Sequence, residues 1–251
     1  GAVYDLKDKT FTATQPHGAT QNVTNAPFFR EGVVIGNKIY MAPAATREIG
    51  IYDFVNQTFT TTAELQGIGS DAFGGTALLD DGTLVFAPFD YDNIGLYDPS
   101  TDTYTDGPSY PGNGSFIGTV KLDDGRVVFV PWQSGEVGIY DPNGSPTFKT
   151  TSSSNGFIGG EKLVDGRVVF SPRRSNKVGI YDPVADTYTD GPAHNQGGDA
   201  FLDAAEFNGT IIFAPRNANN FVTVRIDVPE SWWTVKSQDS QFTITDFEEE
   251  T

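Results

Sequence analysis

The chain has 251 residues, carries 33 acidic against 16 basic side chains for a formal net charge of −17, and contains no cysteine. An excess of acid argues against nucleic acid and anionic membrane as partners, because gripping phosphates requires Lys and Arg to displace counterions. Disulfides and thiol catalysis are excluded outright, and no apolar run is long enough to predict a membrane-spanning helix.

The first predicted elements are two short strands, Ala2–Leu6 and Thr10–Thr14. After them one pattern recurs. Gly125–Pro142, GRVVFVPWQSGEVGIYDP, is written again at Gly82–Pro99 and at Gly166–Pro183, with weaker copies at Asn37–Phe54 and Gly209–Val228. The prolines that close the first apolar run, Pro43, Pro88, Pro131, Pro172 and Pro215, stand 45, 43, 41 and 43 residues apart. A period in the low forties with strand-like content predicts a radial β repeat.

Each unit reads as four strands, A to D from the innermost. Strand A precedes a turn such as Asp123-Asp124-Gly125, a hairpin signal. Strand B is the Val-Val-Phe-Val-Pro type of run, and strand C ends in Tyr-Asp-Pro, where Pro pre-sets φ and Asp accepts backbone N–H groups. Strand D carries an aromatic residue: Phe59, Tyr104 or Tyr188. The units span about 28–62, 73–107, 116–150, 157–191 and 201–236. A closing blade is expected from 1–14 together with 241–247. The fold expected is therefore all-β, one domain over 1–251, a six-bladed β-propeller of four-stranded antiparallel blades closed by both termini, with a five-bladed ring as the alternative.

A four-stranded unit of this period, with Tyr-Asp-Pro-x-x-x-x-Tyr across strands C and D, resembles the Kelch repeat over roughly residues 28–236. The glycine doublet of that repeat is replaced after strand B by Ala87-Pro88, Val130-Pro131 and Ser171-Pro172. The resemblance implies the propeller and no single activity, since this fold hosts enzymes, lectins and protein-docking modules alike.

Little in the sequence reads as catalysis. His17 and His194 lie in D–A loops, where surface positions are expected; two histidines with no His-Glu-x-x-His make no zinc site. Asp90-Tyr91-Asp92-Asn93-Ile94-Gly95 fails as a calcium loop at Ile94, and Gly67-Ile68-Gly69 lacks the third glycine of a phosphate cradle. No metal and no cofactor are expected. Glycosidases need only two carboxylates. Counting back twelve residues from each repeat proline gives Glu31, Thr76, Thr119, Gly160 and Asp203, so Glu31 and Asp203 are the alternative catalytic pair at the central mouth.

Recognition is expected on the face formed by the B–C and D–A loops, where the copies differ on a constant frame. The candidate ligand-binding residues are Phe89, Tyr91, Trp132, Gln133, Arg173, Arg174 and Arg216, aromatic platforms beside a basic sector that also holds Lys177. Aromatic faces with guanidinium and amide donors suit a glycan or a protein segment. The leading expectation is a non-catalytic adhesion or recognition propeller outside the cell or on a virion surface, such as a phage or virus attachment module. A glycoside hydrolase or lyase, or a structural subunit of an assembly, are the alternatives.

Overall fold

The computed structural model describes residues 2–5, 7, 9–13, 27–110, 116–207, 209–218 and 222–225. An N-terminal hairpin pairs β1 (Ala2–Asp5) with β2 (Thr10–Ala13). Blade 1 is β3 (Phe29–Ile35), β4 (Lys38–Pro43), β5 (Gly50–Asp53) and β6 (Thr58–Thr61). Blade 2 is β7 (Phe73–Leu78), β8 (Leu84–Pro88), β9 (Asn93–Asp98) and β10 (Thr103–Ser109). Blade 3 is β11 (Phe116–Lys121), β12 (Val127–Pro131), β13 (Glu136–Asp141) and β14 (Thr147–Ser152). Blade 4 is β15 (Phe157–Lys162), β16 (Val168–Pro172), β17 (Lys177–Asp182) and β18 (Thr187–Ala193). Blade 5 shows β19 (Phe201–Phe207), β20 (Thr210–Pro215) and β21 (Val222–Arg225).

Every blade is an antiparallel meander, and the innermost strands β3, β7, β11, β15 and β19 pack side by side in that order around a channel. The protein is an all-β propeller of four-stranded blades, with five blades among the described residues, the alternative of the sequence reading. The strand expected at 241–247 to complete a sixth blade lies outside the described residues, as do residues 226–236 of the fifth unit. No helix occurs among the described residues, hence none long and apolar enough to cross a membrane.

The core of a blade is built from rings. The phenylalanine opening each inner strand, Phe73, Phe116, Phe157 or Phe201, is fully buried against the strand B phenylalanine Phe86, Phe129, Phe170 or Phe213. In blades 1 to 4 the strand D aromatic closes on the same ring: Phe59 on Phe29, Tyr104 on Phe73, Phe148 on Phe116, Tyr188 on Phe157. Such tilted pairs add about 0.5–1.5 kcal/mol each beyond the area they bury. Strand C contributes a glycine there, because a β-carbon on Gly50, Gly95, Gly138 or Gly179 would run into that phenylalanine.

The turn aspartates act as the sequence implies. Asp98 accepts from Ser100, and Asp182 from the backbone of Val184 and Ala185. Neighbouring blades are fastened at the rim as well. Asp186, in the blade 4 turn, accepts from Lys149 and Thr151 of blade 3 and from Tyr181 of its own blade.

Candidate functional site

The channel is set by one detail of the A–B hairpins. In blade 1 the strands turn on two residues, Gly36-Asn37, and in blade 5 Phe207 pairs with Thr210, whereas Leu78 pairs with Leu84 across a five-residue connection. Relative to the proline, these two hairpins are therefore one residue shorter. Counting twelve back thus reaches a different row there. Register shows that Gly32 and Ala204, not Glu31 and Asp203, correspond to Thr76, Thr119 and Gly160. Since side chains alternate with period two, a shift of one residue turns a side chain to the other face. Counted from the turns, the true row is Glu31, Gly75, Gly118, Gly159 and Asp203.

In that row three glycines face two acids. Each inner strand also carries a register irregularity at this depth, as expected of bulges that re-aim side chains beside a site. Glu31 sits in the irregularity of β3 with φ of 21°, a conformation that L-residues rarely adopt. Its carboxylate reaches across blade 2, where Oε2 accepts from the Thr76 backbone N–H at 2.8 Å and from the Thr119 hydroxyl of blade 3 at 3.0 Å. A β-carbon on Gly75 would collide with that oxygen, and one on Gly159 would collide with Asp203 Oδ1. The bare backbones of β7 and β15 make the room these acids occupy.

Glu31 and Asp203 line one cavity of about 690 Å³, with Arg30 and Arg173 at its border, Glu161 and Thr119 in its wall, and apolar surface from Ile117, Ile158 and Leu202. Pro27 and Arg173 belong to the D–A and B–C connections, so the cavity lies toward the expected recognition face. Although Glu31 is exposed to the channel, protein encloses its carboxyl end. That loss of solvation, reinforced by Asp203 and opposed by the bonds from Thr76 and Thr119, pushes its pKa up to about 7. Glu161 is raised too, by burial and then by Asp203 and Glu206.

Both guanidinium groups are held in the same way. Arg30 pairs with Asp71 at 3.0 Å, donates to the Phe73 carbonyl and lies 4.2 Å over the Phe89 ring. Arg173 pairs with Asp199 at 2.7 Å and lies 5.0 Å over Trp132. Asp71 and Asp199 each open an Asp-Ala-Phe run before an inner strand, and both have positive φ. That repeated tripeptide is the sequence signal that would have found the two anchors.

The rim residues gather unevenly. Trp132, only 8% exposed, is roofed by Arg174 at 4.6 Å as well as by Arg173, and Arg216 stands 4.0 Å from Asp199. These four form one cluster across blades 3 to 5, with Gln133 exposed beside Trp132. Phe89 is covered by Arg30, and Tyr91 turns to its own blade, where its hydroxyl donates to Asp106 and its ring meets Phe73 edge-on. Lys177 pairs with Asp190. Phe89 and Trp132 are thus occupied by protein cations, and Tyr91 by its own blade, instead of standing open.

His194 corrects the expectation of a surface histidine. It is 8% exposed and packs edge-on against Phe201. Its ring nitrogens bond the Ser175 carbonyl at 2.9 Å and the Gln196 N–H at 3.1 Å, so it is packed between blades 4 and 5. His17 lies outside the described residues. Among the described residues no group of three or more His, Asp or Glu is arranged to hold a metal ion.

No protein-family model and no curated protein matches the sequence. Solved structures do. The chain is similar to virginiamycin B lyase from Staphylococcus aureus with a TM-score of 0.60 and 14% identity, over 83% of this chain and 73% of that one. A catalytically inactive form of that lyase with quinupristin gives 0.61 at 14% identity over the same shares. The extracellular domain of a one-component system from B. thetaiotaomicron gives 0.64 at 12% identity, over 88% of this chain and 31% of the other. At such identities the likeness is one of fold.

Proposed function

We propose that the protein is a recognition propeller that takes a small polar ligand, a sugar or a sugar-sized group, into the channel cavity on the B–C/D–A face. One observation carries this reading: Glu31 and Asp203 project into a cavity of sugar-accommodating size at the two ring positions where the other three blades have glycine. Concave sites of this volume, with apolar walls and a few convergent polar groups, are where small molecules bind. Ile117, Ile158 and Leu202 would meet the ring face, and Thr119 and the carboxylates its hydroxyls. The Trp132, Arg174 and Arg216 cluster would contact whatever extends beyond the cavity, with Phe89, Tyr91 and Gln133 as its outer margin. A repeat of Kelch type and a place outside the cell fit this reading, the latter supported by the likeness to an extracellular sensor domain. Titration of a glycan panel into the whole protein tests it. Binding lost in Glu31→Gln and in Asp203→Asn is the expected result; binding unchanged by both, or no binding at all, removes the reading.

A second reading is acid–base catalysis in the same cavity. A carboxyl poised near neutrality can both give and take a proton, and lyases are among proteins of this fold. Turnover of any bound glycan, abolished by Glu31→Gln with binding retained, would favour it.

A further inference from the structure

We propose that the ligand of this cavity carries a cationic nitrogen, a primary ammonium on a sugar-sized body; the inference rests on the cavity being the binding site. The charges around the cavity do not cancel. Arg30 and Arg173, the two cations at its border, are neutralised by Asp71 and Asp199 and stacked on Phe89 and Trp132. Lys162, next to Glu161 in sequence, is paired with Asp123. Glu31, Glu161 and Asp203 are left with no ion-pair partner among the described residues.

Facing Glu31 from the elements packed against it are the Thr76 amide of β7, the Thr119 hydroxyl of β11 and the Asp203 carboxylate of β19. None is a cation. Oε2 takes hydrogen bonds from the Thr76 amide and the Thr119 hydroxyl, and the Thr119 backbone N–H adds to them, so the carboxylate is met by neutral donors only, in a side chain that lines the cavity. Mutual repulsion among three carboxylates is relieved by one positive charge, left untouched by a neutral ligand and worsened by an anion. An organic cation fits better than a metal ion. The described acids form no metal-binding group, and Ile117, Ile158 and Leu202 supply apolar wall that a hydrated ion would not use.

The test is calorimetric titration of the whole protein with 2-aminoethyl glucoside, its neutral analogue 2-hydroxyethyl glucoside, and glucuronic acid, at pH 8 and pH 6. The aminoethyl compound should bind about tenfold tighter than the hydroxyethyl one at pH 8, as expected for one ion pair in a partly desolvated site, with glucuronic acid weakest. Because an ammonium needs Glu31 ionised, its affinity should fall about tenfold from pH 8 to pH 6, following the competent fraction. Glu31→Gln should abolish that pH dependence, and Asp203→Asn should reduce the preference for the amine in a second, independent variant. Equal binding of the amine and its hydroxyl analogue overturns the cationic ligand and leaves the sugar-sized cavity site standing. Failure of these three and of the wider glycan panel to bind overturns both.

Discussion

Oδ1 of Asp203 fills the space that a β-carbon on Gly159 would need, so an acid of blade 5 and a glycine of blade 4 are matched across a blade boundary. Gly75 is matched to Glu31 in the same way, and Gly74 fits still more tightly, against the Phe116 carbonyl and the Ile117 backbone. Gly159→Ala should therefore displace Asp203 and weaken ligand binding with little loss of stability, because a side chain can move. Gly74→Ala meets backbone, which cannot, and should cost about 3 kcal/mol by chemical denaturation. Gly69→Ala has open space and no positive φ, and should stay within about 0.5 kcal/mol of wild type.

Glu31 should leave a signature in the pH dependence of stability. Its folded pKa, about 7, lies above the ordinary 4.5, so the folded protein holds this proton more tightly than the unfolded chain does. The stabilising contribution is full below about pH 4.5 and is lost as pH rises through about 7. Since the side chain is open to channel water, the difference is on the order of 1 kcal/mol. Denaturation midpoints of wild type and Glu31→Gln should accordingly converge or cross between pH 5 and pH 8; parallel curves would contradict the raised pKa.

Arg30 binds blade 1 to blade 2. Its guanidinium spans the Asp71 carboxylate, the Phe73 carbonyl and the Phe89 ring while only 14% exposed. Arg30→Met keeps much of the stem and leaves Asp71 without its cation, which should cost about 2–3 kcal/mol. The double variant Arg30→Met with Asp71→Ala should recover part of that loss, and a double-mutant cycle in urea measures the coupling.

Trp132 reports on its cationic roof. With Arg174→Ala one of two guanidinium groups over the indole is removed. Expected are a red shift of emission and stronger acrylamide quenching, read as a difference spectrum against wild type because Trp232 and Trp233 also emit. An unchanged spectrum would mean that Arg173 alone shields the ring.

What could be read from the chain follows from what repetition controls. The Pro-to-Pro spacing, the Asp-Gly turns and the Tyr-Asp-Pro corners recur, because each blade needs the same hairpins and the same buried rings. The strand C glycines Gly95, Gly138 and Gly179 recur for the same reason, although their purpose, making room for Phe73, Phe116 and Phe157, is visible only in three dimensions. The site was half legible. Glu31 and Asp203 stood out as acids near the mouth, yet their row was misassigned, because a two-residue turn in place of a longer one changes the register and leaves few marks in the sequence. Asp71 and Asp199 escaped notice since an ion pair between adjacent blades joins residues 41 positions apart for Arg30 and 26 apart for Arg173. Trp132 was read as an open platform because its exposure depends on where two arginines lie, and sequence spacing does not encode that.

Gly75, Gly118 and Gly159 also have a meaning for how such a molecule changes over time. They are blank places in a ring whose two filled places hold carboxylates, and the hydrogen bonds of the blades run through their backbones without regard to what stands there. Were Asp203 replaced by a shorter residue, Gly159 could accept a side chain in turn, whereas a β-carbon on Gly75 would still meet the Gly118 backbone. The chemistry of the channel could thus pass from blade 5 to blade 4 while the scaffold stayed as it is.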